Sequence, residues 1–385
     1  MKYGCCKILI CLCFTLMTIS LRAEKINVRI FADTVIKQAS FTASFGLYSI
    51  QLPNDTTLIE LNKTSKVTLK NQANKVSILI NDSLVGAFSS VTFLSSGLKS
   101  FFLLTPFGQP NLMRRYDDNL TVSATSTGLK LINNVEMENY VAAVVQAESG
   151  GATDNVEFFK VQALCVRNYL YSNFHKHQKD GYQMCDGVNC QAYKGRANKP
   201  EVIEGTYNSQ GEVIVDSLGT IIETLFHANS GGQTVSAIDV WGKGRSYLQG
   251  KVDTFSVAGK GYKWEKYIQM KEWKRYFKNK GIDLRNDSIE NILVTFSQDS
   301  CRQTQMLGVS LIDIRKDFSL RSTRFTCQAW GSEVKLNGYG YGHGVGMSQE
   351  GAIRMCDDGY DYRQVIEFYY TGAKVKQITD NAIIN

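Results

Sequence analysis

Four prolines in 385 residues and no low-complexity run leave little in this chain to keep it unfolded, and 43% apolar residues suffice for a large core. No internal repeat with a period of about 20 to 50 residues appears, so a solenoid or propeller is excluded. Past residue 23 no apolar run is long enough to span a bilayer. Basic runs interleaved with aromatics are lacking too, which argues against a nucleic-acid partner. Neither the G-x-G-x-x-G of a dinucleotide loop, nor the GK[ST] of a P-loop, nor the G-x-S-x-G elbow of a serine hydrolase occurs.

What is present begins with an export signal. Lys2 and Lys7 precede an apolar stretch from Ile8 to about Ile19, and small or polar residues lead to Ala23, so residues 1–23 read as a signal peptide. Its removal leaves no membrane span and lowers the net charge from +7 to about +4, a mild surplus suited to a weakly anionic polymer. Of ten cysteines, Cys165, Cys185, Cys190, Cys301, Cys327 and Cys356 remain. Six in so long a chain do not make a disulfide scaffold.

Residues 24–116 read as short strands punctuated by turns, a β-rich N-terminal region that could be integral to the same fold. The period then changes. After Asn133-Asn134, expected as a helix cap, Met137, Tyr140, Val141, Val144 and Val145 recur at helical spacing up to Glu148. A second helix is expected from about Asn155 to Phe174, with Arg167 inside its apolar stripe. Strands are expected at 212–215, 220–227 and 309–326, with a helix near Lys271 to Asn279. The fold class expected is α+β, helices packed on antiparallel sheets, with a main domain over 117–375 and a tail at 376–385.

Glu148 is the first chemical candidate: a carboxyl group on an apolar stripe is desolvated and stays protonated nearer neutral pH, as a general acid must. A structural ion pair with Arg167 explains the same pattern. His343 lies where glycine fills every second position from 338 to 346, while His227 ends a strand beside Asn229 and Ser230 and reads more readily as a core histidine. Cys185 and Cys190, four residues between them, suit either two zinc thiolates or a small disulfide loop. Cys165 reads as a buried thiol, although a Cys–His hydrolase using Cys190 or Cys165 with His343 or His227 stays open.

Five segments in order resemble one family, SpoIID/LytB: 133–148, 160–169, 185–195, 227–232 with 239–242, and 340–349. The resemblance covers about residues 117 to 375. It implies a wall-associated protein that cleaves peptidoglycan glycan strands stripped of their stem peptides, with Glu148 as catalytic acid/base and Arg167 and Tyr247 as its partners. His227, Ser230, Gly231, His343 and Gln349 then fall at substrate-binding positions. In a lytic transglycosylase one carboxyl group suffices, so the absence of an obvious second acid fits. LytB members imply instead an enhancer of a cell-wall amidase, one that binds glycan without cutting it. No cofactor is required. Zinc at Cys185 and Cys190 stays open, because Asn189 stands where zinc-binding members tend to carry histidine; Gln249, just after Tyr247, replaces an expected lysine. The implied location is the periplasm or the cell surface.

Overall fold

The computed structural model describes residues 24–378 except 63, 188 and 299–301. The signal segment, Cys301 and the end of the tail lie outside the described residues. No helix among those described is long and apolar enough to cross a membrane.

The N-terminal region folds as strands β1 (Lys25–Ile30), β2 (Gln38–Gln51), β3 (Thr57–Leu61), β4 (Val67–Gln72), β5 (Lys75–Ile80), β6 (Ser83–Phe88), β7 (Ser90–Pro106), β8 (Arg114–Asp117), β9 (Asn119–Ala124) and β10 (Leu129–Glu136). Burial alternates along β10, as a half-covered sheet requires. Asn133 and Asn134 belong to this strand, not to a helix cap. Asn133 is fully buried, and its amide donates to the carbonyls of Asp117 and Asn119 while its oxygen accepts from Tyr193. These side-chain bonds satisfy a polar residue inside the sheet.

The chain then forms α1 (Met137–Ser149) and α2 (Val156–Ser172), the latter capped by Asn155, whose side chain accepts from the Glu157 amide. Strand β11 (Met184–Cys185) adds in parallel to β1, completing one sheet in the order β11-β1-β10-β9-β7-β2-β4-β5-β6, with β3 on β2 and β8 on β7. The sheet therefore runs straight across residue 116. Next come α3 (Pro200–Asn208), β12 (Glu212–Val215), β13 (Phe226–His227) and α4 (Ala237–Trp241). From 220 to 225, expected as strand, only a single bridge from Ile221 to Val215 forms.

An insertion follows with its own core: β14 (Lys263–Gln269), α5 (Met270–Asn279), α6 (Asp287–Thr295), β15 (Gln305–Met306), β16 (Val309–Ser310), α7 (Leu311–Asp317), β17 (Arg324–Trp330) and β18 (Glu333–Tyr339). Trp264, Trp273, Phe277, Ile314, Phe325 and Leu336 pack there, apart from the main core. Of the strands expected from 309 to 326, β16 and the start of β17 form, while the middle is taken by helix α7. Ser310 caps it by accepting from the Ile312 amide, Asp313 sits in its first turn, and Arg315 and Lys316 sit in its last.

The glycine-rich segment ends in β19 (Met347–Ser348), then α8 (Gln349–Asp357), α9 (Tyr362–Tyr369) and β20 (Lys374–Gln377), which pairs with β12. Helices on a largely antiparallel sheet make this an α+β fold.

Candidate functional site

Helix α1 buries Tyr140, Val141, Val144 and Val145 and then runs out past the core. Glu148 lies on that emerging last turn and is exposed, which corrects the expectation that it is sealed on the apolar face. Its Oε1 accepts from the Ala192 amide at 3.1 Å, and Oε2 has no hydrogen bond among the described residues.

Arg167 does not meet Glu148. It is wholly buried, donating through Nε and Nη2 to Glu138 at 3.0 and 2.7 Å and through Nη1 to the Glu212 carbonyl. The two glutamates are ten residues apart on one helix, so they lie on different faces, and it is Glu138 that turns toward α2.

Around Glu148 the polypeptide gathers thiols and phenols. Cys185 and Cys190 are free thiols with sulfurs 3.2 Å apart, and His177 Nε2 stands 3.3 Å from Cys190 Sγ. The three donor atoms fit within 4.8 Å of one another. His177 Nδ1 is 3.9 Å from Asp180, and its ring stacks on Tyr182 at 4.9 Å. A carboxylate behind the second ring nitrogen is the usual support of a metal-binding imidazole. Burial, more than the neighbouring Cys185, pushes the Cys190 thiol up to about 11, and burial pushes Cys165 up to about 12 beside the Tyr370 hydroxyl. Neither is prepared as a nucleophile, which needs a lowered thiol. His177 was missed by sequence reasoning; its place eight residues before Cys185 was the signal available.

Glu223 lies near both Tyr169 and Tyr247. Burial raises both phenols; the Glu223 carboxylate adds to this at Tyr169, after Cys190, while at Tyr247 the Glu223 amide donates to Oη at 3.3 Å and works against it. No hydrogen bond joins Tyr247 to Glu148 among the described residues. Gln249 turns back on its own loop, donating to the carbonyls of Arg245 and Ser246.

The remaining motif residues interlock. β13 pairs with β19, and Asn229 bridges to Tyr341. Within this crossing Ser230 is sealed, its hydroxyl donating to Asp253 at 2.7 Å and lying 2.7 Å from the Ser256 hydroxyl. Gly231, at φ 69°, sits where a Cβ would come within 2.7 Å of the Tyr339 carbonyl carbon. Both are expected at substrate-binding positions, and the structure places both inside this crossing. His227 is buried, its Nδ1 bonded to the Val345 carbonyl, and burial drives its pKa well down. His343 accepts from the Val345 amide at Nδ1 and donates from Nε2 to the Phe226 carbonyl, so it is a neutral imidazole whose pKa burial lowers to about 4. Gln349 donates to Gln162 on α2 at 3.3 Å.

Against known proteins, the family model described as "Stage II sporulation protein", SpoIID, matches residues 125–216. Residues 125–216 are thus similar to a SpoIID domain. That stretch includes α1, Glu148, the His177/Cys185/Cys190 cluster and α3. Stage II sporulation protein D of Bacillus subtilis (strain 168) is 25% identical over 276 residues, 67% of this chain and 79% of that protein. Its namesake from Bacillus amyloliquefaciens is 24% identical over 277 residues, with the same two shares. The amidase enhancer of Bacillus subtilis (strain 168) is 21% identical over 285 residues, 57% of this chain but 38% of that longer protein. The likeness to the sporulation proteins thus extends well past the SpoIID domain.

Proposed function

We propose that this protein is an exported cell-wall enzyme, a lytic transglycosylase that cuts peptidoglycan glycan strands with Glu148 as its acid and base. What carries the reading is Glu148 itself, an open carboxyl group at the end of α1 with one oxygen held by a backbone amide and the other free. The SpoIID domain and the names of its relatives support a role at the cell wall.

With Oε1 held by Ala192, the proton resides on Oε2 and passes to the glycosidic oxygen as the bond from C1 breaks. The carboxylate then takes the proton of the same sugar's 6-hydroxyl while that oxygen closes on C1. The product is a 1,6-anhydro ring; Glu148 regains its proton, and no water is consumed. A glycan lying over Glu148 supplies the desolvation that the free protein lacks. Tyr247 and Tyr169 line the approach, while Arg167 acts at a distance by fixing α1 on α2.

His177, Cys185 and Cys190 have the donor set and convergence of a zinc site and would hold that ion through Nε2 and two thiolates. Bound there, zinc would clamp the loop leading to Ala192, and with it the orientation of Glu148.

The enhancer reading has its own support in the likeness to the amidase enhancer, whose name implies a wall amidase as partner. Mass spectrometry of glycan strands incubated with the protein, with Glu148→Gln in parallel, separates the two. Ends bearing 1,6-anhydro-muramic acid with the wild type alone establish the transglycosylase. Strands that are bound but uncut by both proteins refute it in favour of the enhancer.

A further inference from the structure

A cavity of about 600 Å³ opens between α4, the glycine-rich segment and the insertion. One wall is aromatic: the Trp241 indole is 48% exposed, and its ring centre lies 5.4 Å from that of His343. The lining is also cationic. Arg302 donates through Nη1 to the Gln233 carbonyl at 3.0 Å, one of its five N–H groups engaged among the described residues. Its Nη2 reaches beside Gly344, where a Cβ would stand 3.1 Å away, so the glycine leaves room for the guanidinium. Burial, with Arg324 nearby, lowers Arg302 to about 10, which leaves it charged at neutral pH. From α7, Arg315 brings a second guanidinium whose buried Nε has no hydrogen-bond partner. Among the described residues neither arginine forms an ion pair. Among the described residues of the lining Asp239 is the one carboxylate, against two arginines.

Two guanidinium groups and an indole lining one cavity suit a sugar that bears a carboxylate. The ring's C–H face packs on the indole, and the carboxylate takes the planar N–H fork. His343, fixed as a neutral imidazole, adds an apolar edge and no competing charge. Within a peptidoglycan strand one group has this chemistry: the lactyl carboxylate of muramic acid, which is an amide while the stem peptide is attached and an anion once it is removed. We infer that this cavity is a binding subsite for the free lactyl carboxylate, read by Arg302 and Arg315 with Trp241 beneath the ring, and so selects stripped strands. The inference rests on the glycan reading of the preceding section and adds to it the residues that sense the missing peptide.

The test is a binding measurement that does not depend on cleavage. Calorimetric titration of Glu148→Gln protein compares short stripped strands, the same strands with their carboxylates converted to methylamides, and the free stem tetrapeptide. The stripped strand is expected to bind about tenfold more tightly than its methylamide, the factor of one charge-assisted hydrogen bond, with the tetrapeptide weaker than both. Arg302→Gln with Arg315→Gln is expected to abolish the preference, and Arg315→Lys to keep part of it. Equal affinity for both strands, a preference that survives the double substitution, tighter binding of the tetrapeptide, or no binding at all overturns the subsite. If the double variant does not fold, Arg315→Gln alone and the comparison of the two strands on the parent protein still decide. A strand preference without 1,6-anhydro ends in the wild-type digest would refute the cleavage and leave the subsite standing.

Discussion

Arg167 and Glu138 face each other across α1 and α2 with two N–H···O bonds, at 3.0 and 2.7 Å, and both side chains are sealed from solvent. Removing one partner strands a charge inside the core. Glu138→Ala or Arg167→Met is expected to cost about 3–5 kcal/mol in chemical denaturation, and the paired substitution Glu138→Leu with Arg167→Met less than the sum of the two. Glu148→Gln, at an exposed position, should change stability by no more than about 0.5 kcal/mol while abolishing cleavage. Single variants at 138 and 167 as stable as wild type would show that the pair has no structural role.

The cluster of His177, Cys185 and Cys190 predicts one zinc per chain in protein purified under reducing conditions, measured by elemental analysis. Cys190→Ser and His177→Ala should each lower that content, and chelation should lower the unfolding temperature of wild type alone. A reduced protein that refuses zinc at neutral pH would remove the clamp proposed for Ala192.

Gly346 has φ 71°, and a Cβ there would lie 2.1 Å from the Leu225 carbonyl oxygen. That oxygen accepts from the Met347 amide, so it cannot move without opening the join between β13 and β19. Gly346→Ala should therefore cost about 2–4 kcal/mol in thermal unfolding. At Gly359, φ 93° with nothing within 4 Å, alanine meets only backbone strain and should cost about 1 kcal/mol. Equal losses at both sites would mean that the close approach at 346 is relieved cheaply.

The helices were legible because their apolar residues recur at three and four, and α2 runs Val156–Ser172 against an expected 155–174. The α+β class followed from the alternation of periods. Partners across the chain were not legible. Periodicity put Glu148 and Glu138 on one helix and said nothing of where that helix leaves the core, so the acid that Arg167 binds could only come from packing. His227, Ser230 and His343 stood out as motif residues, yet a motif that closes a backbone crossing looks the same in sequence as one that binds a sugar. Arg302 and Arg315 carry no local pattern at all; only the fold of the insertion brings them into one cavity with Trp241.

The two histidines of that crossing give the chain a defined response to acid. A proton added to His227 at Nε2 finds no acceptor among the described residues, and one added to His343 at Nδ1 displaces the Val345 amide that this nitrogen accepts. Burial lowers both, with His343 itself and the nearby cations Arg302 and Arg315 pressing His227 further down, and Arg315 acting likewise on His343. Unfolded, each histidine titrates near 6.5. Between about pH 6.5 and 4 the unfolded chain therefore binds more protons than the folded one, and stability rises with pH through that window. The contribution is complete above about 6.5 and is lost as the pH falls through the folded value, which for His343 is about 4. Each histidine can supply at most about 1.4 kcal/mol per pH unit, and His343, partly open to its cavity, supplies less. Carboxyl groups raised by burial, such as Asp117 and Asp253, act in the opposite sense. Unfolding temperatures should climb from about pH 5 to 6.5 in wild type and climb less steeply in His343→Gln, both at the same zinc loading because the thiolate site also depends on pH. Parallel profiles for the two proteins would show that His343 takes up its proton in the folded state as readily as in the unfolded chain.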